Sequence, residues 1–289
     1  MKYLDIHSHL GFEDYGQDKE KVIERMKEMK VGTIAVGADL ETSKEAVKVA
    51  TENENIWACI GQHPIHNIEK NFHLGESFRE EDYEELVKNP KVVAIGECGL
   101  EYYKLEGDIE WVKRKQKEVF IKQINFALKY NKALMLHIRN GNKKDQAHLP
   151  TSDGGQGEIF EENSAFDDVY EILNKIRQEQ GLAFFRGNVH FFTGKLEMAQ
   201  KFIELGFTIS FVGLITYVHD FDKIIRNAPL ISLQAETDSP YITPVPYRGK
   251  RNEPSYVTEV YKKIAEIRGE DPELVRLQLL KNAKRVFSI

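Results

Sequence analysis

The chain has 289 residues, 41% of them apolar and 30% charged, with a formal net charge of −6. That composition supports one large core and excludes disordered, collagen-like and disulfide-stapled classes; Cys59 and Cys98 make no secreted pairing pattern. The acidic balance argues against a basic face that wraps long duplex nucleic acid, and says nothing about a small phosphate site.

The first ten residues, MKYLDIHSHL, lack the apolar stretch of a signal peptide, and no apolar run approaches the ~20 residues that span a bilayer. The expected location is therefore cytoplasmic. From there short apolar runs alternate with amphipathic charged ones. The first predicted strand, 3–9, carries Asp5, His7 and His9 at period-two spacing, which sends one carboxylate and two imidazoles off the same side. A helix over 19–29, a strand at 33–37, a helix over 41–53 and a strand at 56–61 follow, and His63 comes just after that third strand. A helix over 80–88 leads to a strand at 92–97 that ends on Glu97. The helix over 111–130 leads to a strand at 133–137 that ends on His137, with Arg139 two residues on. Then come helix 166–180, strand 187–190 ending on His190, helix 196–205, strand 207–211, helix 219–227 and strand 231–236. Asp238 stands just past that last strand, and a helix over 254–267 completes the eighth unit.

Strands rich in Val, Ile and Ala that alternate with helices imply parallel βαβ units buried on both faces. Eight of them in under 300 residues predict an α/β protein, a closed (β/α)8 TIM barrel forming a single domain over 1–289. An open doubly wound sheet would want a Gly-rich phosphate loop after its first strand, where residues 5–9 stand instead. Two additions are expected. Residues 140–164, polar and Gly-rich, form an insertion on the rim after the fifth strand. A last helix over 271–287 opens with Asp271, Pro272 and Glu273, an N-cap, a first-turn proline and an acidic first turn, and is expected to pack across the barrel exterior.

In a barrel of this kind the C-terminal strand ends converge on one face, and there the fold places its chemistry. His7, His9, Glu97, His137, His190 and Asp238 all fall on that rim. One catalytic zinc takes three protein ligands and keeps a position open, so six ligand-type residues point to two divalent cations sharing a carboxylate, with Zn2+, Mn2+ or Mg2+ as candidates. Other residues have two readings each. His63 either caps a turn or donates to a substrate phosphate. Arg139 offers its fork to a phosphate or braces the rim through an ion pair. Lys250 and Arg251 either touch phosphate or lie in a solvated loop, and Tyr102 and Tyr103 either stack bases or pack. Asp5 is expected to hydrogen-bond a ligand or a bound water. Cys98 is expected to be a small filler beside Glu97, and His66, His73, His148 and His219 to be surface or loop histidines.

Asp5 with His7-x-His9, Gly61-Gln62-His63-Pro64, Gly96-Glu97-Cys98-Gly99-Leu100, His137-Ile138-Arg139 and His190-Phe191-Phe192-Thr193-Gly194 stand in that order. Glu236-Thr237-Asp238-Ser239-Pro240-Tyr241, Arg248-Gly249-Lys250-Arg251-Asn252-Glu253-Pro254 and a closing Asn282-Ala283-x-x-Val286-Phe287 follow. Over nearly the whole chain this series resembles the TatD-type metal-dependent deoxyribonucleases. The resemblance implies an amidohydrolase-like barrel that hydrolyses phosphodiester bonds, exonucleolytically and on single-stranded DNA ends. It implies one cation on His7, His9 and Asp238, a second on His137 and His190, and Glu97 between them. It also implies an attacking hydroxide shared by the cations, with Asp238 and Glu97 as the catalytic carboxylates and Asp238 managing the proton.

The expected partner is single-stranded DNA or a small phosphodiester, with no membrane and no obligate protein partner. This chain departs from the pattern in having Glu101 where the family usually has Asp, and in the interval 140–164; both bear on substrate fit. Two other functions stay open. One is hydrolysis of a different ester, lactone, amide or aminoacyl ester at the same centre. The other is a non-catalytic nucleic-acid-binding barrel, against which ligands at every expected strand end argue.

Overall fold

The computed structural model describes residues 1–67, 78–105, 107–141 and 164–289. Among these, eight parallel strands follow one another in chain order, each paired with the next: β1 (Tyr3–Ser8), β2 (Val31–Val36), β3 (Ile56–Ile60), β4 (Val92–Glu101), β5 (Ala133–Arg139), β6 (Gly187–Val189), β7 (Phe207–Phe211) and β8 (Leu233–Ala235). Between them run α1 (Lys19–Glu28), α2 (Leu40–Glu52), α3 (Glu80–Val87), α4 (Ile109–Lys129), α5 (Ala165–Glu179), α6 (Leu196–Glu204) and α7 (Asp222–Asn227), and α8 (Val257–Arg268) and α9 (Pro272–Phe287) come last. The expected (β/α)8 barrel is the fold. No helix among the described residues is long and apolar enough to cross a membrane.

Local chemistry starts the helices where the chain leaves the strands. Asp39 and Thr42 form a reciprocal capping box on α2, and Asp108 and Ser164 cap α4 and α5 by accepting from Trp111 N and Asp167 N. Asp271 accepts from Glu273 N and Leu274 N, both at 2.9 Å, with Pro272 in the first turn, as its sequence predicted. The main apolar layer lies between strands and helices. A second cluster, Leu4, Ile6, Ile34, Val36, Cys59, Val93, Ala94, Ala133 and Met135, is closed off by Ala283, Val286 and Phe287 of α9. Asn282 Nδ2 donates to the carbonyls of Leu230 and Leu233, both at 2.8 Å, which fixes α9 beneath the start of β8. The last helix therefore plugs the N-terminal end of the barrel and does not lie across its exterior. Its buried positions Val275, Leu279, Ala283, Val286 and Phe287 form one apolar stripe, which finds its counterpart under the strands.

Two features of the sheet position the site. β4 does not stop at Glu97 but runs on to Glu101, and its register against β5 shifts between Ile95 and Cys98. Gly96 (φ 153°) and Gly99 (φ 144°) allow this, because a Cβ at either would overlap the carbonyl oxygen of Met135 or His137 on β5. The barrel closes between β8 and β1 only near their C-terminal ends, through an isolated bridge between Ser8 and Ser239. His9 N donates to Ser239 O at 2.8 Å, and Asp238 N donates to His7 O at 3.0 Å. The interval between β5 and α5 holds residues 142–163, so the expected rim insertion lies almost wholly outside the described residues, as do His73 and His148.

Candidate metal centre

Two imidazoles from the end of β1 stand between the carboxylates of Glu97 on β4 and Asp238 just past β8, and His7, His9 and Glu97 form one set whose ligand atoms all lie within 4.8 Å of one another. His7 Nε2 lies 3.4 Å from His9 Nε2, 3.4 Å from Glu97 Oε2 and 3.7 Å from Asp238 Oδ1. His9 Nε2 is 3.7 Å from Glu97 Oε2 and 3.5 Å from Asp238 Oδ1. Bonds of ~2.0–2.2 Å to a four-coordinate cation put neighbouring ligand atoms about 3.3–3.6 Å apart. The spacing and the mixed imidazole–carboxylate chemistry thus fit a divalent cation. The other oxygen of Glu97 faces a second group: Oε1 is 2.7 Å from His137 Nδ1, 3.4 Å from His63 Nε2 and 3.5 Å from His190 Nε2. One buried carboxylate therefore faces two sets of histidines. Burial opposes its charge, yet His63, His190, His7 and the hydrogen bond from His137 hold Glu97 well below the usual carboxylate range.

Hydrogen-bonding and charged neighbours surround several of these imidazoles. His9 Nδ1 donates to Val36 O at 3.0 Å, which leaves the Nε2 lone pair free for a cation. His190 Nδ1 lies 3.0 Å from Glu236 Oε1, which also accepts from Phe191 N at 2.6 Å. Burial works against a proton on His190, but the charges of Glu236 and Glu97 push it up to about 10. His137 is held at both ends, by Glu97 at Nδ1 and by Glu101 Oε2 at 3.0 Å from Nε2. Burial opposes its proton too, and the bonds to Glu101 and Glu97 push it up to about 9. The longer Glu101 thus reaches back to a histidine of the centre. His7, stacked on His190 with ring centroids 3.6 Å apart, is depressed by burial and by the charge on His190.

His63 is different. Its Nδ1 accepts from Ile65 N at 3.1 Å, so the ring carries its hydrogen on Nε2 and turns an N–H, not a lone pair, toward Glu97. Burial and the nearby His137 push it down to about 4, which keeps it neutral. Its two sequence readings are therefore compatible: it caps its own turn, and it offers a donor at the centre.

The centre opens into a cavity of about 700 Å³ whose walls include Phe12, His63, Arg139, Phe191, Tyr217, Tyr241 and Arg248. The guanidinium carbon of Arg139 lies over Tyr103, 3.9 Å from the ring centre, and its Nη1 is 3.9 Å from Glu101 Oε2. Tyr102 is buried and donates to Asp168 Oδ2 at 2.6 Å, which makes it a packing residue. Cys98 is buried beside Glu97, and burial pushes its thiol up, as suits a filler. His219 is exposed, 3.3 Å from Asp222.

Several expectations shift. Asp5 does not point with the imidazoles. It accepts from Thr237 N at 2.8 Å and Thr237 Oγ1 at 2.6 Å, because the register of β1 against β2 slips between Asp5 and Ser8. It clamps the strand behind Asp238 and meets a candidate ligand only through that residue's main chain, accepting from His7 N at 3.3 Å. Lys250 and Arg251 lie outside the cavity wall, and Arg251 is paired with Asp18 at 2.6 Å. The cavity-facing cation of that loop is Arg248, which spacing alone could not single out among three neighbours. Glu236 behind His190 was also missed. Its signal was the period-two spacing with Asp238.

A family model described as TatD related DNase matches residues 4–288. The chain belongs to the TatD related DNase family. Among its relatives is an uncharacterized metal-dependent hydrolase, YabD, of Bacillus subtilis, 36% identical over 294 residues that cover 99% of each chain. Another is the uncharacterized metal-dependent hydrolase YcfH of Escherichia coli K12, 30% identical over 295 residues and covering 100% of this chain and 97% of the relative. In fold, this TatD-family chain resembles the crystal structure of YjjV, a TatD homologue of Escherichia coli K12, with a TM-score of 0.79 at 24% identity over 100% and 98% of the two chains.

Proposed function

We propose that this TatD-family protein is a two-cation phosphodiesterase that removes nucleotides from single-stranded DNA ends. The observation that carries the reading is Glu97, whose two oxygens face two separate groups of histidines. His7, His9 and Asp238 would hold one cation, His137 and His190 the other, and Glu97 would serve both. Divalent cations held there acidify water and offset the charge that grows on phosphorus oxygens. The chain's own groups do the rest. Asp238 keeps its carboxylate ionised, since its hydrogen bond with His9 and the charges of His190 and His7 outweigh burial, and it orients the attacking water and takes its proton. The Nε2–H of His63 and the guanidinium of Arg139 bind nonbridging oxygens of the scissile phosphate. Phe12, Phe191 and Tyr241 shut water from the cavity wall and offer aromatic surface to a base.

The test is turnover of single strands labelled at the 3′ or the 5′ end, and of bis(4-nitrophenyl) phosphate, with Mn2+, Zn2+ or Mg2+ added in turn, beside a lactone and an aminoacyl ester. Phosphodiester cleavage that starts at one end is the expected result. Turnover confined to the lactone or the aminoacyl ester would overturn it, and oligonucleotide binding without any turnover would mean a binding barrel.

A further inference from the structure

The loop between β8 and α8 carries three cations close together, Arg248, Lys250 and Arg251, and the structure separates their uses. Arg251 donates to Asp14 O at 2.8 Å, pairs with Asp18 and covers the Tyr15 ring, so it is spent on holding its loop to the segment after β1. The backbone of Lys250 ties the loop to itself: its N donates to Tyr247 O at 3.1 Å and its O accepts from Thr243 Oγ1 at 2.7 Å. Arg248 alone of the three lines the cavity. Its guanidinium carbon sits 3.9 Å from the centre of the Tyr217 ring, and no carboxylate among the described residues lies within ion-pairing distance of it.

On the β5 side of the same cavity Arg139 is held in the same way, 3.9 Å over Tyr103. Stacking on a ring fixes the guanidinium plane and leaves its edge donors directed at a ligand. A pair of fixed guanidiniums on separate walls, beside a centre that itself draws in an anion, offers more positive charge than one isolated phosphodiester can use. Of the two, Arg139 belongs to the strand end next to His137, whereas Arg248 is exposed at the cavity mouth.

We propose that Arg248, seated on Tyr217, is a specificity-determining residue that takes the phosphate next to the scissile one, so that a strand with successive phosphates is preferred to a lone phosphodiester. The proposal rests on the phosphodiesterase reading above. Tyr217 acts in it as a positioning residue, since it touches the guanidinium and not the reacting atoms.

The experiment compares thymidine di- and trinucleotides, TpT and TpTpT, in the metal-loaded full-length protein. Arg248→Met should shrink the ratio of kcat/KM for TpTpT over TpT by about tenfold, the worth of a charge-assisted hydrogen bond at a partly exposed site, and mainly through KM. Arg248→Lys should keep part of the preference, Tyr217→Phe should keep it, and Tyr217→Leu should lose much of it. The same ratio is read in binding of hydrolysis-resistant phosphorothioate forms of the two strands by the metal-loaded protein with and without Arg248→Met, which keeps the test independent of turnover. An Arg248-dependent binding ratio without any phosphodiester turnover would support this residue's role and overturn only the hydrolytic reading. Ratios unchanged by Arg248→Met in both assays, or moved equally by Tyr217→Phe and Tyr217→Leu, would overturn the proposal.

Discussion

Glu97→Gln keeps the shape of the side chain but removes the charge toward which His7, His9, His137 and His190 turn. Metal content after dialysis should fall from two equivalents to one or fewer, and kcat should fall at least about a hundredfold. Elemental analysis beside turnover checks this, and two retained equivalents would take Glu97 out of its bridging role. A second test needs no substrate. In chelator-treated protein His137 and His190 keep their protons up to about 9 and about 10, above the 6.5 of an exposed histidine. Because the folded values are raised, the stability these protons bring is complete below pH ~6.5 and is lost as the pH climbs through the folded values. The Tm of the metal-free protein should therefore fall steadily from pH 6.5 toward pH 9, and saturating Mn2+ should flatten that fall, since ligation replaces the protons. A metal-free Tm that is level across this window would show that the histidines are already neutral.

Strand ends were the part of the site most legible in the sequence, because a ligand at the end of a short apolar run has one place to go in a barrel. His190 and Asp238 stand where that logic put them, whereas β5 runs two residues past His137 to Arg139. The same logic failed at β4, where Gly-Glu-Cys-Gly read as a stop. The two glycines instead let β4 press against β5 and continue to Glu101, and a residue without a Cβ gives no pattern of its own. Gly99→Ala should drive the new methyl into the His137 carbonyl and cost about 3 kcal/mol of stability along with displacement of His137. Denaturant unfolding and metal affinity would both register it, and a variant with wild-type values would show that β4 has slack. The last helix was legible as a helix but not as a plug, since an apolar stripe does not name the surface it covers. Phe287→Ala should cost about 3–5 kcal/mol and leave metal stoichiometry intact, because the helix closes the end of the barrel remote from the centre.

At the scale of the whole molecule, the acidic net charge and the small number of cavity cations would limit the grip on the proposed nucleic-acid substrate. With Arg139, Arg248 and the metal centre as contacts, two or three phosphates of a single strand should be engaged, which gives a log-log salt slope of about −2. Affinity of metal-loaded Asp238→Asn across a salt series measures it, and a much steeper slope would mean that the protein tracks along the strand. That expectation comes from composition. Which cations face the cavity was not legible, since Arg248 and Arg251 differ only in the partners that Tyr217 and Asp18 supply from distant parts of the chain.

The seam between β8 and β1 has one more consequence. The candidate ligands straddle it, with His7 and His9 on one lip and Asp238 on the other, and the lips are joined by a few main-chain bonds near Ser8 and Ser239 and by the bonds from Thr237 to Asp5. A cation held by these residues would rivet the first strand to the last across the seam. Stripped of metal, the barrel should unzip first along this line: by hydrogen exchange, the amides of His9 and Asp238 should lose protection while those of β3 to β5 keep theirs. The proposed catalytic centre would then also be the clasp that keeps the cylinder from becoming an open sheet.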